Sequence, residues 1–145
     1  MPLGRELIGI PVRVDVAGEI LGEVVDLCFD RRGRLCAVVV APQKGLIRRE
    51  RAVPVTRFTA LSEDGAVLGS REALDEAAGV EANTLRLRQG ANGLQGRPLI
   101  AADGSELGSI ADVALEPGTH EIWGFEVSDG TIMDLLVGRS IVDAQ

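Results

Sequence analysis

Residues 7–30, LIGIPVRVDVAGEILGEVVDLCFD, decide the fold, because a weaker copy of them returns at residues 94–117 as LQGRPLIAADGSELGSIADVALEP. The two stretches align at an offset of 87 residues up to the proline of each copy and at 86 residues beyond it, so the second copy has lost one residue before its first turn. Repeats of this kind set the architecture before any single motif does. The matched pairs are Gly9 and Gly96, Pro11 and Pro98, Gly18 and Gly104, Gly22 and Gly108, and Asp26 and Asp112.

Length and composition favour two small β-rich units. The chain has 145 residues, and a copy of about 55 residues is near the lower limit at which one core is stable alone. We therefore expect the copies to need each other or a partner chain. Hydrophobic residues make up 46%, aromatic residues only 3%, and glycine contributes 18 positions, a mixture typical of short strands and tight turns.

Charge and hydropathy restrict the location and the partners. No apolar run approaches the roughly 18 residues that span a bilayer, and the N-terminal MPLGREL lacks the apolar core of a signal peptide. We therefore expect a cytoplasmic protein without membrane insertion. Residues 1–69 carry a net charge of +1 and residues 70–145 carry −8, which gives −7 for the chain. An acidic second half repels phosphate backbones and disfavours RNA as a partner.

The first copy is predicted to form strands at residues 7–14, 20–30, 35–41, 52–61 and 66–68. Val24-Val25 breaks the alternation of the second of these strands and predicts a bulge. Pro54 predicts an edge or a bulge for the fourth strand, because it has no N–H to donate. Asp64-Gly65 is a hairpin signal. Residues 70–79 change to a helical period, and residues 80–92 form either a linker or a strand.

The second copy is predicted to form strands at residues 96–101, 107–115 and 122–127. Residues 131–139, TIMDLLVGR, could form one helical turn, and residues 139–142 would correspond to Arg51–Pro54. The first copy continues for about eight further apolar-rich residues. Either the last strand is dispensable in the second copy, or the sequence is trimmed there.

The order of these motifs resembles the PRC-barrel family. In the first copy the resemblance rests on the matched glycines and proline, Leu21-Gly22, Val24, Asp26, the strand at residues 35–40 and Arg51-Ala52-Val53-Pro54. In the second copy it rests on Asp103-Gly104, Leu107-Gly108, Asp112 and residues 124–130, and it departs at Ile141-Val142, where val-pro is expected. The resemblance covers nearly all of both copies.

The resemblance implies a small β-barrel of about six strands in each copy. It also implies the settings in which such barrels occur: the cytoplasmic domain of the photosynthetic reaction-centre H subunit and the C-terminal domain of a ribosome maturation factor. Both are protein-contacting roles. We therefore predict an all-β protein with a first barrel at residues 1–69, a short helix and linker at residues 70–92, and a second barrel at residues 93–145.

Asp26 and Asp112 recur inside apolar strands. As a catalytic pair they would need an accompanying His or Lys in both copies, and the sequence offers none. The favoured interpretation is structural: each carboxylate accepts backbone N–H bonds at the bulge or pairs with Arg51 or Arg139. The matched glycines are likewise interpreted as turn and bulge positions, because no phosphate-binding loop pattern surrounds them.

Neither metal binding nor nucleophilic catalysis is favoured. His120 is the single histidine and is expected to be an exposed turn residue, and no Cys-x-x-Cys motif occurs. Cys28 and Cys36 are expected to be reduced core residues, facing each other with a three-residue turn and pointing apart with a four-residue turn. We expect no enzymatic activity and no cofactor.

The leading functional hypothesis is a non-catalytic adaptor that binds another protein, and a homodimer is a further option because small barrels expose strand edges. The alternative is a ribosome or RNA maturation factor that uses basic loops. Trp123, at the place of Ala37 in the first copy, either anchors a partner or fills the second barrel, and core filling is favoured. The candidate contact residues are Arg31, Arg32, Arg34, Arg48, Arg49, Arg51 and Trp123.

Overall fold

The computed structural model describes residues 2–15, 18–43, 49–75, 84–88 and 93–134. Short 3-10 helices cover Gly4–Glu6 and Val55–Arg57. The remaining elements in chain order are β1 (Pro11–Arg13), β2 (Ile20–Phe29), β3 (Leu35–Pro42), β4 (Arg51–Pro54), β5 (Phe58–Ser62), β6 (Gly65–Leu68), α1 (Glu72–Asp75), β7 (Leu85–Arg86), β8 (Pro98–Ile100), β9 (Glu106–Leu115), β10 (Ile122–Val127) and β11 (Ile132–Asp134).

Each copy forms its own sheet, and the all-β prediction is confirmed. In the first copy the order is β4-β3-β2-β1-β6-β5, with β7 added to β2. The β1–β6 pair is parallel, whereas the hairpin neighbours are antiparallel, and this pairing curls the sheet into a half-barrel. In the second copy the order is β11-β10-β9-β8, so β8, β9 and β10 repeat the pairing of β1, β2 and β3.

The predicted bulge and edge are both present. Along β2 the register steps from Val24 to Asp26 while β3 advances by a single residue, so Val25 is the extra residue. β4 lies at the end of the strand order and finishes at Pro54, where the missing N–H cannot extend the ladder. The single strand predicted at residues 52–61 is therefore interrupted by the 3-10 turn before β5 begins.

The predicted helical turn at residues 131–139 is wrong over its first part, because Ile132–Asp134 is strand β11. Met133 lies opposite Phe125 as Val53 lies opposite Val38. β11 is therefore the counterpart of β4, a place that the sequence had assigned to residues 139–142. The reason is the tight turn after β10, where the Asp129 carboxylate accepts the Thr131 N–H at 2.9 Å and returns the chain at once. Residues 135–145 lie outside the described part.

The segment between the copies has more structure than a linker. Of the helix predicted at residues 70–79, the structure contains α1 at Glu72–Asp75, and residues 76–80 lie outside the described part. Leu85–Arg86 forms strand β7, which pairs with the end of β2. One hydrophobic cluster contains side chains from both sheets, including Phe29 and Phe125, so the copies share a core.

The two long hairpins meet at their turns in a nearly symmetric junction. The Ile122 N–H donates to the Gly33 carbonyl at 2.8 Å, and the Leu35 N–H donates to the His120 carbonyl at 3.3 Å. Gly33 and His120 occupy the same place in the two turns, with φ angles of +85° and +58°. An approximate twofold axis therefore passes between Arg34 and Glu121, which form an isolated antiparallel bridge.

Candidate functional site

Asp26 is a buried carboxylate, and its oxygen atoms accept hydrogen bonds from the segment that precedes the second copy. Its Oδ1 accepts the N–H of Leu27 at 2.8 Å and the N–H of Arg88 at 2.9 Å. Its Oδ2 accepts the Nε–H of Arg86 at 3.0 Å. Three donors around a buried carboxylate replace the water that it lost.

Asp112 repeats this arrangement in the second copy. Its Oδ1 accepts the Val113 N–H at 2.8 Å, and its Oδ2 accepts the Arg5 N–H at 3.0 Å. The Nη1 of Arg5 lies 3.3 Å from the same Oδ2 and donates to the Oε1 of Glu126 at 2.7 Å. Burial raises the pKa of the Asp112 carboxyl, although the N–H groups of Arg5 and Val113 act in the opposite direction.

Each copy is preceded by a short segment, called its lead-in segment, and each lead-in segment pairs with the other copy. The segment before the first copy bridges to β9 at Leu3 and Ala114, while β7, which precedes the second copy, pairs with β2 at Arg86 and Cys28. Each lead-in supplies the arginine that binds the aspartate of the other copy. The hydrogen bonds to the two aspartates come from Arg86 and Arg5, which the sequence did not predict. The expected pairing with Arg51 stays a prediction. Arg139 lies outside the described residues.

Beside the Asp26–Arg86 pair lies a cleft of about 270 Å³ lined by Val25, Asp26, Glu50, Arg86 and Arg88. Arg86 is largely covered, and its Nη2 lies 3.6 Å from the Oε1 of Glu50. That distance allows ionic attraction but exceeds a hydrogen bond. The cleft therefore presents a guanidinium group whose Nη2 still has hydrogen-bonding capacity.

A second, larger cleft of about 350 Å³ lies where β1 and β2 begin and β3 ends in the first copy. Ile20 lines it and is exposed, and Glu23 is the charged residue among the described residues that line it. Gly22 forms part of its wall, because β2 and β3 approach closely there. The remaining lining residues are Gly9, Pro11, Ala41, Pro42 and Gln43. Among the described lining residues there is one carboxylate and no His, Cys, Ser or Lys side chain.

Five of the six arginines in the predicted basic loops lie among the described residues. Arg34 donates to the Oε1 of Glu121 at 2.6 Å across the twofold junction, and this hydrogen bond raises the pKa of the Arg34 guanidinium. Arg31 and Arg32 are exposed on the same turn. Arg49 is exposed, Arg51 is half-buried on β4, and Arg48 lies outside the described residues. Whether these arginines contact a partner stays a prediction.

Trp123 is half-buried on β10 and belongs neither to the core cluster nor to the side chains packed against it. Its indole Nε1 is nevertheless buried and has no hydrogen-bond acceptor among the described residues. Whether Trp123 fills the second barrel or anchors a partner stays a prediction. The register skips Trp123 between Ile122 and Gly124, as it skips Cys36 in the first copy. Trp123 therefore takes the place of Cys36 and not that of Ala37, because a bulge in each hairpin shifts the alignment by one residue.

Both cysteines are free thiols at the end of the first hairpin. Cys28 lies directly opposite Ala37, and the Cys36 thiol donates to the Cys28 carbonyl at 3.4 Å. Burial raises the pKa of the Cys28 thiol to about 12, so Cys28 remains protonated and unreactive at neutral pH. The described residues contain no cluster of three or more His, Cys, Asp or Glu side chains that could hold a metal ion.

A model of the PRC-barrel domain matches residues 3–73 and again residues 90–144. The chain belongs to the PRC-barrel domain family. The two matched segments coincide with the two copies, and the PRC barrel is generally a non-enzymatic module. No curated protein matches the sequence. Within the described residues, no helix of this PRC-barrel protein is both long and apolar enough to cross a membrane.

Sequence reasoning missed the exchange of lead-ins in this PRC-barrel chain. Arg5, Arg86 and Arg88 stand in polar segments outside the matched motifs, and nothing local marks them as partners of residues that lie 60 or more positions away. One feature of the sequence does indicate such partners. The buried aspartates Asp26 and Asp112 require cations or N–H donors, and each lead-in carries an arginine.

His120 provides a pH-dependent prediction. It is half-buried rather than exposed, and burial lowers the pKa of its imidazole although a hydrogen bond with the Leu61 backbone acts in the opposite direction. The unfolded chain then binds more protons than the folded chain, so stability falls as the pH drops through the unfolded value of about 6.5. Urea unfolding at several pH values between about 5.5 and 7.5 should show this decline.

The matched variant is His120→Asn, because asparagine tolerates the left-handed backbone of this turn and does not titrate. Its stability should change less with pH over the same interval. An unchanged pH dependence in this variant would assign the effect to other groups. The imidazole proton signals should also titrate below the ordinary histidine range.

Proposed function

We propose that this chain is a non-catalytic adaptor that binds another protein through the outer face of β10 and β11. The observation that carries the proposal is Ile132 on β11, a large apolar side chain that is 40% exposed. The neighbouring strand β10 carries Trp123, which is half-buried with a buried Nε1 and is not part of the core cluster. Tryptophan is enriched at the energetic centres of protein interfaces. The generally non-enzymatic character of the family supports the same conclusion.

The difference between the two copies also supports a contact on the second one. Leu107 is 40% exposed, whereas Leu21 at the equivalent position is 8% exposed. Ile132 likewise replaces the buried Ala52 in the equivalent strand. The second copy therefore exposes apolar groups at two positions that the first copy buries. Exposed apolar groups are costly to keep in water and gain free energy when a partner covers them.

A tagged full-length protein should capture its partner from native lysate, with and without RNase. We expect capture to survive RNase and to fall at least about tenfold in Ile132→Glu and in Trp123→Ala. The matched control is Ile20→Glu, which places the same charge at an isoleucine that is 37% exposed in the first copy. Loss of capture in all three variants, or in none, would contradict the proposed surface.

Tryptophan fluorescence tests the same surface without a lysate, because Trp123 is the single tryptophan. Its emission maximum should shift when the captured partner is added to the purified chain. An emission maximum that ignores both the partner and the protein concentration would count against Trp123 as an anchor. A shift with concentration alone would identify a second copy of the chain as the partner.

The alternative function, ribosome or RNA maturation, depends on Arg31, Arg32 and Arg49, since Glu121 neutralises Arg34. Partners that vanish on RNase treatment would favour this alternative. Substitution of these three arginines should then abolish capture. The net charge of −7 opposes a phosphate backbone, so the protein-binding function is preferred.

A further inference from the structure

The cleft beside Arg86 contains a guanidinium group with an unused donor. Arg86 donates its Nε–H to Asp26, and its Nη2 is buried without a hydrogen-bond acceptor within the described part of the chain. Glu50 approaches this nitrogen to 3.6 Å but does not reach hydrogen-bond distance. A buried donor without an acceptor is unfavourable, so an acceptor that enters the cleft and reaches this nitrogen is stabilised.

The second copy contains the acceptor that the first copy lacks. Glu126 lies opposite Asp112 across the β9–β10 ladder, and its carboxylate accepts the Nη1–H of Arg5 at 2.7 Å. The equivalent position in the first copy, opposite Asp26, is Val39. In the second copy the aspartate and the arginine are joined by a glutamate that is hydrogen-bonded to the arginine. In the first copy the position of that glutamate is taken by the apolar side chain of Val39.

We propose that the cleft lined by Val25, Asp26, Glu50, Arg86 and Arg88 binds a carboxylate group supplied from outside the chain, which occupies on Arg86 the place that Glu126 occupies on Arg5. The source is an acidic side chain of a partner protein. The assignment of this carboxylate to a partner protein rests on the proposed protein-binding function. The preference of the cleft for a carboxylate does not.

A carboxylate fits this cleft better than a phosphate. The buried Nη2 of Arg86 lacks an acceptor among the described residues, and a planar, singly charged group that reaches it can accept its N–H in the way that Glu126 accepts from Arg5. Asp26 and Glu50 are both within the lining, so a dianion meets more repulsion than a monoanion. Arg88 is exposed at the rim and adds attraction for either anion.

The first test is a titration of the ¹⁵N-labelled full-length chain with N-acetylglutamate N-methylamide, whose single charge is the side-chain carboxylate. The Nε–Hε signal of Arg86 should move and saturate with a dissociation constant of about 1–10 mM, as expected for one charge-assisted contact. Inorganic phosphate at matched ionic strength should bind more weakly. Equal or tighter binding of phosphate, or no saturation with the glutamate probe, would overturn the proposal.

The repeat itself supplies the decisive variants. Val39→Glu places in the first copy the carboxylate that the second copy already has, so it should pair with Arg86 and reduce probe binding at least tenfold, about 1.4 kcal/mol. Val39→Gln fills similar space without the charge and should reduce binding less. Conversely, Glu126→Val should open a new site at Arg5. Undiminished binding in a folded Val39→Glu chain would overturn the proposal.

Glu50→Gln keeps the test decisive if Val39→Glu does not fold, because Glu50 lies at the exposed rim and its substitution leaves the core intact. Removal of its negative charge should tighten probe binding about threefold. Unchanged affinity in this variant, with the melting temperature of the original chain, would contradict the proposed position of the ligand.

Capture from lysate separates this proposal from the proposed function. If the probe binds at Arg86 but no protein is captured, the cleft chemistry stands and the protein source is overturned. If the original chain and Val39→Glu capture a protein equally, the proposed function stands. The proposal that the cleft contacts this protein is then overturned. Capture that falls in Val39→Glu and not in Val39→Gln supports both.

Discussion

Asp26→Ala is expected to lower the free energy of unfolding by about 3–5 kcal/mol, the largest loss that we predict for this chain. The substitution removes the acceptor of three donors, namely the N–H groups of Leu27 and Arg88 and the Nε–H of Arg86. It also leaves Arg86 as a largely covered cation without its principal counter-ion. Urea unfolding monitored by circular dichroism would measure the loss.

Asp112→Ala is the internal comparison, and it should cost less. Arg5 is 57% exposed, whereas Arg86 is 21% exposed, so Arg5 can recover water and can keep its pairing with Glu126. A surface control, Glu63→Ala, should change the free energy of unfolding by less than about 0.5 kcal/mol. Equal losses for Asp26→Ala and Asp112→Ala would show that the exposure of the arginine does not matter.

Gly22→Ala is expected to lower the free energy of unfolding by about 3 kcal/mol, at the upper end for an overpacked site. A Cβ atom at Gly22 would lie 2.4 Å from the carbonyl oxygen of Ala41 and 3.0 Å from Cγ1 of Val40. The first neighbour is backbone in the paired strand β3, so it cannot move without separating β2 from β3. The melting temperature, followed by calorimetry, should fall by about 10 °C.

Gly69→Ala is the matched control for Gly22→Ala. A Cβ atom there meets the Arg57 carbonyl oxygen at 3.6 Å, which is ordinary contact, and its backbone does not require glycine. Its stability should stay the same or rise slightly, because alanine restricts the unfolded chain. If both variants lose equal stability, the close approach at Gly22 is not the cause.

The repeat explains much of what could be predicted. Strands β2, β3, β9 and β10 were located from alternation and turn residues to within about two positions, because long half-buried strands carry a strong period. The bulge at Val25 was visible for the same reason. β11 was misassigned, since residues 131–139 contain too short an apolar pattern to separate a strand from a helical turn. Only the register against β10 decided it.

The candidate sites were less accessible to prediction. The sequence indicated Asp26 and Asp112 as structural carboxylates but did not indicate Arg86 and Arg5 as their partners, because hydrogen bonds between distant segments leave no periodic signal. Arg34 was placed among candidate contact residues, and its pairing with Glu121 depends on how the two hairpins meet. The contacts proposed for Trp123 and for the cleft beside Arg86 remain predictions.

By itself the sequence determined a duplicated all-β chain of the PRC-barrel type, because matched glycines, prolines and aspartates fix turns and bulges through local backbone geometry. The tertiary structure decided that the lead-in segments are exchanged and that the two copies share one core. It also decided that equivalent positions differ in exposure and pairing, as Glu126 and Val39 do. The physical reason is that burial and ion pairing depend on which distant segments are brought together, and each copy is too small to bury its own apolar surface alone.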